Sequence, residues 1–303
     1  MDMTTKILHS YTNGNTKVTI YEDGTKIREF KTIPEINHPE SIDIKITNYC
    51  DMGCEFCHES SNKRGKHADL EKLQNILYDL PAGVELALGG GNPLDHPDLI
   101  EFLIWCQMMG FIANMTVNQA HLKKFMPTIE TLLEEKLIMG LGISINGNDW
   151  ASVKYLKTLS DNIVYHVIAG VHKINILSRL EELGNCKVLI LGYKTFGRGL
   201  FYFYENTGVL NIMRKWREYI RQYLGSFVIS FDNLALEQLS IKSLMTPKFW
   251  ETFYMGDDFT FTMYIDAVNE EYAPTSRSDD DRIKFSDMSL FNYFGKFKGS
   301  FKE

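Results

Sequence analysis

The sequence predicts an α/β fold built around a parallel sheet. Short apolar or β-branched runs alternate along the chain with segments of helical periodicity, the order that is typical of repeated strand–helix units. The predicted strands are residues 42–46, 84–88, 111–117, 138–144, 163–168, 188–191 and 227–231. This repetition fits a partial or full (β/α) barrel, and an open doubly wound sheet would produce the same pattern.

The helices between the first strands are predicted from spacing and from their end signals. Apolar residues recur at helical spacing between Leu70 and Leu80, and the pattern ends at Pro81. They therefore form one buried stripe. The next helix is predicted to begin at Pro97, where proline suits the first turn, and to stop before Gly110, since glycine commonly follows a helix.

Two extensions flank the predicted core. Asn13-Gly14 and Asp23-Gly24 interrupt alternating runs near the N-terminus, and such dipeptides are strong hairpin signals. These hairpins either offer an edge to a peptide strand or cover one end of the barrel, and we favour the cover. After about residue 243 an aromatic-rich segment, 249–254, precedes an alternating strand candidate, 260–267.

We therefore expect a fold of three parts. They are an N-terminal β-hairpin extension, residues 1–38, a (β/α) barrel core, residues 39–243, and a C-terminal extension, residues 244–303. The last part is expected to pack on the barrel as a cover on the substrate side.

Composition limits the class of protein. The chain has 303 residues, of which 44% are hydrophobic and 23% charged, as in soluble globular proteins. Its net charge of −7 argues against a general nucleic-acid-binding surface. The N-terminus lacks the basic and apolar regions of a secretory signal, and no run approaches the roughly 18 apolar residues of a membrane helix. We expect a cytoplasmic protein without a membrane partner.

Three of the five cysteines lie in one short motif, directly after the first predicted strand. Cys50, Cys54 and Cys57 have CxxxCxxC spacing. Thiolates are the ligands of iron–sulfur clusters, which usually take four, so three leave one iron of a 4Fe–4S cluster free for another ligand. Structural zinc, or a cysteine cluster without a metal, is the competing interpretation. Zinc normally needs four ligands, and His58 and His67 do not reproduce a paired zinc spacing.

The CxxxCxxC motif, with Phe56 directly before its last cysteine, resembles the cluster motif of the radical S-adenosylmethionine (SAM) superfamily. In that family the open iron binds the amino and carboxylate groups of SAM, and an electron from the reduced cluster cleaves SAM to a 5'-deoxyadenosyl radical. The resemblance implies a partial (β/α)6-type to (β/α)8-type barrel, with a 4Fe–4S cluster and SAM as cofactors. It also implies hydrogen abstraction from a peptide or small-molecule substrate, and an electron donor such as flavodoxin or ferredoxin. The alternative is a non-catalytic iron–sulfur or zinc-binding protein.

The turn after the second strand carries a further part of the resemblance. Gly89, Gly90, Gly91, Asn92 and Pro93 follow that strand, and glycine lets the backbone approach a ligand closely. The segment resembles the family's GGE motif, which meets the SAM amino group. Asn92 stands where the family usually has glutamate, and its amide can accept a hydrogen bond but lacks the charge. A glycine-rich turn without a ligand is the plain alternative.

Polar residues also follow the third and fourth strands. Asn118 lies in a turn that resembles the family's TTNG-like turn, and Ser144 and Asn146 lie in one that resembles its SxDG-like turn. The resemblance implies contacts to the ribose or the methionine carboxylate of SAM, and adenine packing at Leu191, the end of the sixth strand. Each polar side chain could instead cap its own backbone.

Later strand ends supply substrate candidates. Tyr193, Lys194 and Arg198 follow the sixth strand, and Asp232 follows the seventh. Because later strands in related barrels tend to face substrate, these side chains could orient a polar substrate. Solvated loops or a structural ion pair are the alternative.

The remaining cysteines and two histidines are predicted to be structural. Cys106 and Cys186 lack a CxxC neighbour, so we expect small buried side chains and no second cluster. His166 and His172, near the fifth strand end, could touch substrate. A structural role is the favoured interpretation of both.

Overall fold

A large mixed sheet organises the chain, and a small antiparallel sheet packs on it. The computed structural model describes residues 5–278 and 281–297. The small sheet has the order β1-β2-β3 and the ten-stranded sheet the order β10-β9-β8-β7-β6-β5-β4-β11-β12-β13. The strands are β1 Ile7–Asn13, β2 Thr16–Tyr21, β3 Lys26–Glu29, β4 Ser41–Thr47, β5 Glu85–Gly90, β6 Ile112–Asn118, β7 Gly140–Ser144, β8 Ile163–Ile168, β9 Lys187–Leu191, β10 Val228–Phe231, β11 Thr262–Asp266, β12 Glu271–Ala273 and β13 Ile283–Lys284.

Helices connect the parallel strands. The α-helices are α1 Leu70–Leu77, α2 Leu99–Met108, α3 Leu122–Glu134, α4 Trp150–Leu159, α5 Ile176–Glu181, α6 Arg198–Glu205, α7 Gly208–Tyr219, α8 Asn233–Gln238, α9 Pro247–Phe253 and α10 Leu290–Phe297. Short 3₁₀ helices lie at Pro93–Asp95, Gln119–His121, Ile220–Gln222 and Ile241–Leu244. None of the helices described is long and apolar enough to cross a membrane.

The predicted α/β fold with a parallel sheet is confirmed. Strands β4 to β10 pair in parallel with their neighbours in chain order. Over residues 5–278 and 281–297 no pairing joins the edge strands β10 and β13, so the barrel is partial. One face of the sheet packs against helices, as the buried Ile42, Ile44 and Ile46 of β4 illustrate. The opposite face surrounds a cavity, which distinguishes the fold from a doubly wound sheet.

Both predicted helices are present with different ends. Helix α1 begins after Asp69, whose side chain accepts a hydrogen bond from the Lys72 amide, and ends at Leu77 rather than at residue 80. Helix α2 begins two residues after Pro97. The reason is local, since the amide of Asp98 donates to Nδ1 of His96 at 3.2 Å and keeps this segment in a turn.

The N-terminal sheet covers the amino ends of the core strands. Val18 and Ile20 pack with Ile112 at the start of β6. The Arg28 side chain donates to buried Glu40 at 2.7 Å. The cysteine motif lies at the opposite, carboxyl ends of the strands, so this sheet closes the cavity on the side away from it.

The C-terminal segment adds to the large sheet. The predicted strand at 260–267 forms β11, which pairs in parallel with β4, and the aromatic-rich segment 249–254 forms most of α9. The domain boundaries at residues 38 and 243 stay predictions. Residues 1–4, 279–280 and 298–303 of the predicted extensions lie outside the described residues.

Candidate active site

A cavity of about 660 Å³ fills the partial barrel and extends to the carboxyl ends of its strands. Cys50, Cys54 and Cys57 line it, together with Phe56. All three cysteines are unpaired and partly buried. In a (β/α) barrel the loops at this end converge on one site. The motif therefore lies where the fold collects functional groups.

Hydrogen bonds from distant parts of the chain hold the cysteine loop. Nε of Arg198 donates to the Cys54 carbonyl oxygen at 2.9 Å, and its amide donates to the Cys57 carbonyl oxygen at 3.1 Å. Nδ2 of Asn146 donates to Sγ of Cys54 at 3.0 Å. Burial raises the pKa of the Cys50 and Cys54 thiols. A cation bound by these sulfurs would favour their thiolate form.

The glycine turn after β5 packs directly on the start of the cysteine loop. Gly90 has φ +110°, and a Cβ there would lie 2.3 Å from the Thr47 carbonyl oxygen. A Cβ on Gly91 would lie 2.1 Å from the Tyr49 carbonyl oxygen. A Cβ on Gly89 would meet no atom within 4 Å. Two of these glycines thus permit backbone packing, and Gly89 leaves space in the cavity.

Asn92 and Pro93 are buried behind this turn, whereas the three glycines line the cavity. The amide of Asn92 donates to the Tyr49 carbonyl oxygen at 2.7 Å, and its Nδ2 donates to Oδ2 of Asp95 at 2.7 Å. Its Oδ1 is buried, and no partner for it occurs in the described part of the chain. The contacts of Asn92 support the turn from below.

The other predicted cofactor residues also line the cavity. They are Asn118, Ser144, Asn146 and Leu191. Oδ1 of Asn118 accepts from the Ala120 amide at 3.0 Å, so this side chain caps its own turn as well.

The four predicted substrate residues have different surroundings. Lys194 lines the cavity and donates to Oγ of Ser276 at 2.8 Å. Tyr193 is buried, and its hydroxyl donates to the Gly199 carbonyl oxygen at 2.7 Å. Arg198 donates hydrogen bonds to the carbonyl oxygens of Cys54 and Cys57. Burial raises the pKa of Asp232, although its Oδ1 accepts from the Gly192 amide after β9 and from the Ala235 amide in the first turn of α8.

The sequence analysis did not select Asp43, and it favoured a structural role for His166. Both line the cavity, and within residues 5–278 and 281–297 neither side chain has a hydrogen bond or an ion pair. Burial inside the protein raises the pKa of Asp43 and lowers the pKa of His166 to about 4. A parallel strand covered on both faces is expected to be continuously apolar. The polar residues at alternate positions of β4 were therefore a usable signal.

A charged network forms one wall beside the cysteine loop. Nζ of Lys45 lies 2.8 Å from Glu59 and 3.2 Å from Asp266. His58 lies 3.4 Å from Glu59 and 3.4 Å from Lys194. Burial opposes ionisation of Glu59, but His58 and Lys45 hold its pKa well below the usual range. This wall consequently remains charged at neutral pH.

The Radical SAM superfamily sequence profile matches residues 44–225, more than half of the chain. The chain belongs to the Radical SAM superfamily. It is therefore an enzyme, and its cofactors are a 4Fe–4S cluster and SAM. A non-catalytic iron–sulfur or zinc-binding protein does not agree with this membership.

A curated relative matches a short part of the chain. It is the 7,8-dihydro-6-hydroxymethylpterin dimethyltransferase of Methanocaldococcus jannaschii, 29% identical over 87 residues. The match covers 26% of this chain and 17% of the relative.

Solved radical SAM structures share the fold over most of the chain. Streptococcus suis SuiB bound to precursor peptide SuiA superposes with a TM-score of 0.60 at 17% identity, covering 87% of this chain and 67% of SuiB. SuiB bound to S-adenosylmethionine gives 0.61 at 17% identity, with 87% and 68% covered. A further SuiB structure gives 0.63 at 15% identity, with 95% and 87% covered.

The residues present fit both cofactors. Three soft thiol ligands lie on one loop and line one cavity, and Asn146 already donates to one sulfur. Beside them, the missing side chain of Gly89 leaves open space. Donor type and available room agree with the superfamily's cofactor pair.

Proposed function

We propose that this radical SAM enzyme abstracts hydrogen from a substrate held inside the partial barrel. When bound, the cluster and SAM supply the 5'-deoxyadenosyl radical for that reaction. One observation carries the proposal. The three cysteines, the open space at Gly89 and the unpaired Asp43 and His166 share one cavity.

The chain's own residues then have distinct roles. Cys50, Cys54 and Cys57 hold the cluster, and Arg198 fixes the cysteine loop through two carbonyl oxygens of that loop. The proposed SAM contacts are Phe56, Gly89, Gly90, Gly91, Asn118, Ser144, Asn146 and Leu191. Asn92 and Pro93 keep the glycine turn in place from behind.

Asp43, Thr116 and His166 are the proposed substrate contacts. They point into the same cavity from three strands, β4, β6 and β8. These side chains face the open space of the cavity rather than a protein partner, so a bound ligand can replace cavity water as their hydrogen-bond partner. The neutral imidazole and the carboxyl together favour a substrate with hydrogen-bond donors. Lys194 lines the same cavity beside Ser276.

A peptide is the proposed substrate class. A groove of about 920 Å³ beside the mouth is lined by aromatic and charged side chains, including Trp250, Tyr254 and Asp258. Thr275 and Arg277 face this groove while Ser276 faces the cavity, so one short segment separates the two spaces. An extended chain could lie in the groove and pass one residue into the barrel. SuiB, a structural neighbour, is bound to a precursor peptide.

Reduction needs a further partner. We propose a one-electron carrier such as flavodoxin or ferredoxin, and the cytoplasm as the compartment, because three unoxidised thiols need a reducing environment.

Anaerobic reconstitution tests the proposal. The protein is loaded with iron and sulfide, reduced with dithionite and assayed with SAM for 5'-deoxyadenosine. We expect a brown protein that forms 5'-deoxyadenosine, and a Cys50→Ala/Cys54→Ala/Cys57→Ala variant that binds neither iron nor sulfide and forms none. A wild-type protein that binds the cluster but cleaves no SAM under several reductants would refute the proposal.

A further inference from the structure

Several large apolar side chains are exposed on α6 and in the first turn of α7. We call this group the aromatic patch and define it as Leu200, Phe201, Tyr204 and Leu210. Phe201 is 66%, Tyr204 76% and Leu210 60% exposed. Leu200, Phe201 and Tyr204 follow the spacing that places residues on one face of a helix. Grouped exposed apolar side chains mark interaction sites more often than isolated ones do.

The opposite face of α6 is apolar as well. Tyr202 packs edge-on against Phe56 with ring centroids 6.0 Å apart, and it stacks on Tyr193 at 6.4 Å. Phe203 joins the same cluster. A helix that is apolar on all sides is normally buried on all sides. The outer face of α6 therefore lacks a cover in the described part of the chain.

This helix also supports the cysteine loop. Its first residue, Arg198, donates its amide to the Cys57 carbonyl oxygen at 3.1 Å and its Nε to that of Cys54 at 2.9 Å. Phe56 of the loop touches Tyr202 on the inner face. A protein seated on the aromatic patch would thus be separated from the cysteine loop by a single helix.

A basic stripe continues from the aromatic patch along α7. Leu210, Arg214 and Arg217 follow one another at intervals of four and three residues, which places them on one face of α7, and Arg221 follows in the 3₁₀ helix at its end. Arg214 and Arg221 are exposed, and neither forms an ion pair within the described residues. Lys and Arg outnumber Asp and Glu between residues 187 and 221, although the whole chain has a net charge of −7.

We propose that the aromatic patch and the basic stripe dock a small acidic one-electron carrier protein of the flavodoxin type. The apolar centre supplies contact area, and the arginines attract and orient an acidic partner. The carrier is oxidised by one electron and the cluster is reduced by one, with no bond formed or broken. This proposal rests on the proposed function. A peptide substrate is the weaker candidate for this surface, since the cavity lies on the inner side of the sheet.

Charge reversal tests the stripe. Binding of a recombinant bacterial flavodoxin to the reconstituted protein is measured by anaerobic calorimetry at low and high salt. The test variant is Arg214→Glu/Arg221→Glu, and the matched control is Lys123→Glu/Lys154→Glu, which changes charge equally on α3 and α4. We expect the Kd to rise about tenfold in the test variant and to stay unchanged in the control. Equal Kd values for wild type and test variant, or no binding by wild type, would overturn the docking site.

A second measurement tests the apolar centre and separates this proposal from the proposed function. The Tyr204→Ala and charge-reversal variants are reconstituted, and 5'-deoxyadenosine formation is driven either by reduced flavodoxin or by dithionite. We expect the rate of 5'-deoxyadenosine formation by both variants to fall about tenfold with flavodoxin and to stay unchanged with dithionite. An equal loss with both reductants overturns the docking site. Wild type that binds flavodoxin but cleaves no SAM with dithionite contradicts the proposed function instead.

Discussion

Neighbouring glycines after β5 have different physical roles. A Cβ on Gly91 would overlap the Tyr49 carbonyl oxygen, whereas a Cβ on Gly89 would enter open space. The sequence pattern predicted close backbone approach to a ligand for the whole segment. It could not separate the two roles, because the packing partner of Gly91 lies on another strand connection.

This difference gives a prediction with an internal control. Gly91→Ala forces the glycine turn away from the backbone of Tyr49, so it should lower the free energy of unfolding by about 1–3 kcal/mol. Gly89→Ala should leave the melting temperature unchanged but weaken SAM binding, because its methyl group enters the cavity. Thermal unfolding and calorimetric titration with SAM check both. Wild-type SAM affinity in Gly89→Ala would show that the space beside Gly89 is not used.

The cysteine positions were predictable from spacing, but their support was not. Arg198 lies 144 residues after Cys54, and no local pattern announces a hydrogen bond over that separation. Tyr193 and Asp232, which were predicted as substrate contacts, donate and accept hydrogen bonds within the scaffold. Short-range motifs identify ligands well, whereas the role of a loop residue depends on what the fold brings beside it.

Among the elements, strands were predicted more closely than helix ends. A buried strand is defined by its apolar run, but a helix end depends on caps such as Asp69 and on bonds such as that between Asp98 and His96. The N-terminal sheet illustrates a further limit. Its hairpin signals predicted β-structure, and its position over the amino ends of the strands follows from ion pairs and apolar contacts that are not local.

Two ion pairs of this sheet should differ greatly in their contribution to the free energy of unfolding. Glu40 has a fully buried side chain and pairs with Arg28, which also covers the ring of Phe261. Arg28→Met leaves a buried carboxylate without its partner, so we expect a loss of about 3–5 kcal/mol in the free energy of unfolding. Lys17→Met, which breaks the exposed pair with Glu29, is the control and should change it by at most about 1 kcal/mol. Urea unfolding measures both, and equal effects would contradict the burial argument.

For the whole molecule, the shape of the sheet as a partial barrel was the least predictable property. The alternation of strands and helices predicted a parallel sheet but fitted both a barrel and an open doubly wound sheet. The strand order of the sheet also depends on long-range pairing, since β11 returns to pair with β4 and places Thr262 opposite Ser41, 221 residues earlier in the chain. Such pairing leaves no local periodicity. It also creates a molecule with a covered amino end and a functional carboxyl end.

Stability of the whole molecule should fall in mild acid, because burial lowers the pKa of several histidines, among them His38, His96, His166 and His172. For His166, with a pKa of about 4 in the folded state and about 6.5 when unfolded, the unfolded state binds more protons between these values. Its contribution is therefore complete above pH 6.5 and is lost as pH falls toward 4. Cavity water limits that loss to at most about 3 kcal/mol.

His166→Gln should flatten the pH dependence of urea unfolding of the cofactor-free protein. The control is Thr116→Val, a cavity substitution that removes no titrating group and should shift the free energy of unfolding equally at every pH. Parallel curves for His166→Gln and wild type would show that His166 does not contribute to the pH dependence of stability.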